Sequence, residues 1–286
     1  VFSLQSDKPV TREIRLVVRD RLDSALDLLA ENENLLPAVV HQLRKDFKRL
    51  KALFRLVRTV DEAAGTQEII RYRDLGRQLS SSRDRDVIEQ TLVKLQFLTD
   101  DETVINRLDN LLQRLQKHSV TETSSPSKGD NDALRKQLLE ARTAAENLLR
   151  GTYSRNGLIE GYLQTYRKSR NLWKQLPASR QQEDWHDWRK RVKDDWYQTQ
   201  LLKNFRDDNT KKRLIKLSEL ADLLGYDHDL ENLSEMIETL TVRPHPVDEE
   251  VQLLIEKQRQ GLQEECLKIG RKLYQDKSKH VQKLFS

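Results

Sequence analysis

One histidine and three cations recur at the same spacing 145 residues apart: His41, Arg44, Lys45 and Lys48 return as His186, Arg189, Lys190 and Lys193. The same offset aligns "LSSSRDRDV" from Leu79 with "LGYDHDLEN" from Leu224, so that Leu79 meets Leu224, Ser80 meets Gly225 and Asp84 meets Asp229. Each histidine therefore precedes its paired aspartate by 43 residues. One shared tetrad carries little weight. Two patches kept in register across intervening segments point to an internal duplication, and hence to two similar halves in a pseudo-twofold arrangement.

The halves read as helical. Strand signals are almost absent, and the nine glycines and six prolines fall between periodic segments, where helices are punctuated. The spacing predicts helices over 9–31, 37–63, 66–79, 83–98, 101–118, 133–150, 156–175, 181–205, 210–224, 229–240 and 247–275. "SVTETSSPSKGDND" has no apolar periodicity and reads as a linker over 119–132, separating halves at 5–118 and 133–286. Hydrophobic residues make up 36% and charged residues 34%, against roughly 45–50% and about 25% in ordinary domains. Small cores in thin bundles follow, with much solvated surface. Disorder, the rival reading of such polarity, conflicts with apolar residues that recur at helical spacing.

Plotted at the helical angle, Val40, Leu43, Phe47, Leu50, Phe54 and Val57 of "HQLRKDFKRLKALFR" and its flanks fall in an arc of about 100°. Beside them, His41, Arg44, Lys45, Lys48, Lys51, Arg55 and Arg58 fill an arc of about 140°. Asp46 lies outside that arc. The second copy carries His186, Arg189, Lys190 and Lys193 on through Tyr197 and Gln200 to Lys203, with Asp187, Asp194 and Asp195 expected to point elsewhere. A single basic stripe is ordinarily a solvated helix face. Soluble helices, however, usually interleave acids and bases, because opposite charges at i,i+4 stabilise by about 0.2–0.5 kcal/mol and like charges cost similar amounts. Two acid-poor ladders placed by one duplication suggest a site for an anion. Arg12, Arg15 and Arg19, Arg167 and Arg170, and the offset pair Arg71 and Lys216 are secondary candidates, each alone equally well read as surface charge.

Other chemistries find less support. Cys266 is the only cysteine, so no disulfide within the chain and no cysteine-based metal site is expected, and a reducing compartment suits it. No apolar run approaches the ~20 residues of a membrane span, and "VFSLQSDKPV" lacks a signal pattern. Cytoplasm is the default. His228-Asp229, His186-Asp187 and His245 hint at a metal-dependent phosphohydrolase, but a divalent ion beside Arg189, Lys190 and Lys193 would be strongly repelled. Asp84 and Asp229, read as lying near helix starts, serve more simply as caps. No metal, cofactor or catalytic residue is expected. Both ladder histidines should lose basicity beside cations, and anion affinity should rise as pH falls through about 6–7.

Helix neighbours at i,i+3 and i,i+4 stand about 5–6 Å apart, a pitch that suits a flexible thread of closely spaced charges such as inorganic polyphosphate. Single-stranded nucleic acid is the alternative polyanion, expected to bind more weakly. Its binders usually offer exposed aromatics, whereas Phe47, Phe54, Trp185 and Trp188 read as core, with Trp196 and Tyr197 nearer the basic arc.

"VHQLRKDFKRLKALFRL", "LSSSRDRDV", "YRKSRNLWKQL", "WHDWRKRVKDDWY" and "LADLLGYDHDLENL", in this order, resemble the CHAD family, the conserved histidine α-helical domain. The resemblance covers about residue 10 to at least 240. It implies an all-α fold of two four-helix bundles related by pseudo-twofold symmetry, with a basic channel between them. It also implies non-catalytic binding of inorganic polyphosphate and association with polyphosphate granules. Its signature positions fall on His41, Arg44, Lys48 and Arg83-Asp84, then on His186, Arg189, Lys190, Lys193 and His228-Asp229. Ser80 stands where the first copy usually has glycine, and cations thin out after Lys193, which marks the second ladder as the weaker.

Overall fold

The computed structural model describes residues 2–32, 35–79, 81–122, 128–148, 151–179, 181–206, 210–240 and 246–285, leaving aside the side chains of 81–86, 117–122, 128–130, 147–148, 240 and 246. All regular structure among the described residues is helical. The helices are α1 (Val10–Glu31), α2 (Pro37–Val57), α3 (Glu62–Gln78), α4 (Ser81–Gln96), α5 (Glu102–Glu122) and α6 (Lys128–Leu148). They continue with α7 (Arg155–Gln175), α8 (Gln182–Leu201), α9 (Thr210–Leu240), α10 (Pro246–Tyr274) and a short α11 (Ser278–Gln282).

Local chemistry sets several of these boundaries. Pro37 opens α2 at a position where its missing N–H costs nothing. Asp61 caps α3 by accepting from the Ala64 N–H at 3.0 Å, and Ser154 caps α7 by accepting from Gly157 at 3.1 Å. The apolar arc of α2 is buried along its length, from Val40 through Phe47 and Phe54 to Val57. That burial fixes the rotation of α2 and turns its cations to the other side.

Helices in corresponding places start 145 residues apart, α1 with α7 at Val10 and Arg155, and α2 with α8 at Pro37 and Gln182. Two boundaries depart from the sequence reading. Backbone helix occupies both ends of the expected 119–132 linker, up to Glu122 and again from Lys128; residues 123–127 lie outside the described ones. The break expected after Leu224 is also absent, because α9 runs continuously through Gly225. Leu217, Leu220 and Leu224 are buried in one core before Gly225, and Leu230, Leu233 and Ile237 are buried in a second core on another side of the helix after it. An isolated glycine costs a helix only about 1 kcal/mol, too little to interrupt that burial. Asp229 is therefore in mid-helix, where the capping role expected of it is unavailable.

Buried side chains divide along a different line from the two sequence halves. The larger core joins Leu22, Phe47, Leu53 and Tyr72 to Tyr162, Trp188, Leu217 and Tyr274. The smaller joins Leu92, Leu95, Leu108 and Leu111 of α4 and α5 to Leu230, Leu233, Ile237, Val251 and Ile255 of α9 and α10. Each core mixes both halves. The reason is length: α9 and α10 carry their apolar stripes beyond the larger core, and those stripes must be covered by another pair of helices. A buried polar node ties the second half together. Asp195 accepts from Arg213 at 2.5 Å, Tyr274 at 3.0 Å and Thr199 at 3.0 Å.

The halves are joined where α2 crosses α7 and α8. The Gln198 amide donates to the Ala52 carbonyl at 3.0 Å inside this contact. At Gly161 of α7, a Cβ would lie 3.0 Å from the Leu56 Cα and 2.8 Å from the Thr59 hydroxyl, so only glycine allows this approach. Gly161→Val is expected to lower the unfolding free energy by about 1–3 kcal/mol through overpacking, measured by urea titration. An unshifted midpoint would show that α2 and α7 are less closely apposed.

Candidate anion-binding site

The cationic side of α2 meets α3 across a pocket of about 270 Å³ lined by Arg44, Lys48, Lys51, Arg73 and Arg77, with Phe47 and Tyr72 at its base. None of these lining residues is a carboxylate. Two of the five cations are already matched outside the lining, since Asp74 pairs with Arg73 at 2.8 Å and with Arg77 at 3.9 Å. Arg44 donates to the Gly76 carbonyl at 3.0 Å, which fixes its guanidinium against α3. Burial, and then the Arg55 charge, holds the Lys51 ammonium below the usual lysine range. Such a group gains more from an approaching anion than a solvated lysine does.

One helical turn further along α2 the ladder meets a carboxylate. Asp194 of α8, nearly buried, accepts from Arg55 at 2.5 Å and from Arg191 at 3.0 Å. Its own proton affinity is raised, because burial outweighs the pull of Arg55, Arg191 and Lys51. Lys168 of α7 is held below the usual lysine range by partial burial and then by Arg58, Arg191 and Arg55. The two ladders are thus linked electrically around Asp194, the residue expected to point away from them. Its burial at the helix crossing turns it inward.

The second ladder begins against α9. The His186 and His228 rings stand 4.6 Å apart, and His228 Nδ1 lies 3.2 Å from a Glu231 carboxylate oxygen. His186 is lowered to about 4, first by burial and then by Lys190, His228 and Arg189. His228 is likewise lowered to about 4, by burial first and then by Arg189, while Asp227 opposes the shift. For His186 the direction matches the sequence reading, with burial ahead of neighbouring charge as the main cause. His186 is neutral in the empty site at pH 6, and an anion that raises its basicity on binding would be held more tightly as pH falls.

Several secondary candidates are drawn into other contacts. Arg12, Arg15 and Arg19 line a separate pocket of about 350 Å³ with Leu16, Arg142 and Glu146, between α1 and α6. Arg71 pairs with buried Glu68 at 3.0 Å, Arg167 with Glu160 at 2.6 Å, and Lys190 with Asp187 at 2.9 Å. Arg170 donates to the Gln275 carbonyl at 3.3 Å. His41 is exposed on α2, while Lys45 and Lys216 are half-buried. The side chains of Arg83 and Asp84 lie outside the described residues. Among the described residues no three metal-ligating side chains gather in a cluster.

Lys168 and Arg191 were not legible from the helical wheel. Lys168 sits within "YRKSR", where Arg167 and Arg170 drew attention, and Arg191 lies off the basic arc. A signal was present in the repeat. Asp46 and Arg49 occupy the places that Arg191 and Asp194 occupy 145 residues later, with the charges exchanged. Both are ion pairs within one helix, at 2.9 Å and 3.0 Å.

A family model described as the CHAD domain matches residues 20–238. The crystal structure of the CHAD domain from the plant Ricinus communis superposes with a TM-score of 0.66 at 16% identity, covering 96% of this chain and 94% of that one. No curated protein matches the sequence.

Because His186 and His228 are less basic folded than unfolded, the native state binds fewer protons between about pH 6.5 and about 4. Their contribution to stability is complete above the upper value and is lost as pH falls to the lower. The melting temperature should therefore fall less steeply over this window in His228→Gln than in the wild type. Parallel melting curves for the two proteins would show that the histidine pair does not carry this dependence.

Proposed function

Since the chain belongs to the CHAD family, we propose that it binds inorganic polyphosphate without turning it over, using the cationic pocket between α2 and α3 as its main contact. The observation that supports this most directly is five cationic side chains lining one pocket whose other liners are Phe47, Tyr72 and Gly76. Lys51 is partly desolvated there before any ligand arrives. A phosphate in that pocket relieves repulsion among the cations and gains charge-assisted hydrogen bonds, which are shorter and about twice as strong as neutral ones. A polymer is favoured over a lone phosphate, because further cations continue along α2 and into the seam with α7 and α8. The second ladder extends the path through Arg189 and Lys193 into a basic channel shared by the two halves.

Single-stranded nucleic acid is the second polyanion. It gains most of its non-electrostatic affinity by stacking on aromatics. Phe47, Phe54, Tyr72 and Trp188 are buried in the core and offer no such platform. A hydrolytic role finds no metal cluster among the described residues, and the site's own cations would repel a divalent ion. The protein is proposed to work in the cytoplasm as a passive polyphosphate ligand, directed by it to polyphosphate granules. Among the described residues no helix is long and apolar enough to cross a membrane.

Lys48→Glu combined with Lys51→Glu should weaken binding of a long polyphosphate at least tenfold, read by fluorescence anisotropy at fixed salt. Polyphosphate should also displace single-stranded DNA at far lower phosphate concentration than the reverse. Intact affinity in the double variant, or release of free phosphate with Mg²⁺ present, would overturn the assignment.

A further inference from the structure

The last turns of α7 and α10 meet at a groove of about 600 Å³ whose described lining residues are all different from those of the pocket on α2. Four of them are cations, Lys174, Lys268, Arg271 and Lys272, all exposed. Among the described lining residues Glu265 is the one carboxylate, and it pairs with Lys268 at 3.7 Å. Each helix end adds roughly half a negative charge, which favours cations in the last turns. Four cations outweigh these contributions, so the groove stays positive.

Helix dipoles do not call for an indole among those cations. Trp173, half-buried, lines the same groove and is held along its pyrrole edge. Its Nε1–H donates to the Leu267 carbonyl of α10 at 3.2 Å. At Gly270 a Cβ would lie 2.6 Å from the indole Cδ1 and 2.8 Å from Nε1, so only glycine lets the ring lie this close to α10. The ring is thus fixed in place with its one donor already used, and what it still offers a ligand is π-surface. The pattern repeated at 145 residues does not require this indole, because the equivalent place holds Leu28.

We propose that this groove is a nucleotide site, with the base stacked on Trp173 and the phosphates held by Lys174, Lys268, Arg271 and Lys272. The cations alone would serve any small polyanion. The fixed indole selects one that carries an aromatic ring, and every base has a π-face to stack. One platform matches one base, whereas a single strand is held by aromatics in succession. An anionic membrane surface would be met by an indole lying at the headgroup level, but Trp173 is recessed in a concavity with its N–H bonded inward. The site stands apart from the polyphosphate reading, since none of its cations belongs to that pocket.

The probes are ATP and tripolyphosphate, equal in phosphate number and different in the nucleoside, titrated by calorimetry without divalent ions. Lys48→Glu and Lys51→Glu are carried throughout to silence the pocket on α2. ATP should bind about tenfold more tightly than tripolyphosphate. Trp173→Leu should remove that preference and leave tripolyphosphate affinity unchanged, while Trp173→Phe keeps most of it. A merely structural Trp173 would instead lower both affinities together. Lys174→Glu with Lys272→Glu, on the exposed rim, should weaken both probes about tenfold or more. Circular dichroism melting checks folding, and should Trp173→Leu unfold, the preference for ATP and its loss in the lysine pair decide the matter. Equal affinity for the two probes, or ATP binding untouched by the lysine pair, would overturn the proposal. So would much tighter binding of an oligothymidylate than of ATP, which would assign the face to a strand. Binding of phosphatidylserine vesicles without binding of ATP would overturn it in favour of a membrane surface.

Discussion

The crossing of α2 with α7 and α8 is the contact on which the remaining geometry depends. Like charges spaced along one helix repel, and α2 carries six basic or imidazole side chains on one side, with Arg58 as its C-cap. Such a helix stays in place because its opposite face, from Val40 to Val57, is buried. It also stays because the other half of the molecule supplies the polar contacts it needs, Gln198 to the Ala52 carbonyl and Asp194 to Arg55. Gly161 lets α7 close against α2 at Leu56 beside those bonds. With this crossing fixed, the pocket toward α3 and the seam toward α7 acquire their shapes as consequences.

Segments 145 residues apart share helix starts at α1 and α7 and at α2 and α8, but not electrostatics. Besides the exchanged pair at 46/49 and 191/194, buried Glu68 of α3 stands 145 residues before Arg213 of α9, again with opposite charge. Glu68 finds Arg71 on its own helix, while Arg213 reaches across to Asp195, Tyr162 and the Leu273 carbonyl. Burying a charge is tolerable only with a partner, so each reversal obliged a compensating neighbour. The first half kept a cationic groove, and the second invested its polar groups in a rigid internal network.

The two ladders also differ in how they handle protons. The pocket on α2 is lined by arginines and lysines, whose charge persists across the physiological range. The ladder on α8 starts at His186, packed on His228 of α9, and burial first keeps both rings neutral. The first ladder therefore carries a constant charge, and the start of the second gains charge only in acid or beside an anion.

The sequence by itself determined the helical class, the pattern repeated at 145 residues and the rotation of α2, because each follows from periodicity along one chain. It also determined that a cationic face was present, and the motifs in their order marked the family. It misread Gly225 as a break, since the pull of a buried stripe on both sides outweighs one residue's preference. It could not show that α4 and α5 close over the ends of α9 and α10, nor that Asp194 turns inward to Arg55. Those outcomes depend on which surfaces from distant segments meet, and a helical wheel knows only the helix on which it is drawn. Tertiary structure decided which cations line the pocket and which were matched with a carboxylate from the other half, because ion pairing in a low-dielectric seam is settled by distances of a few ångströms across the crossing.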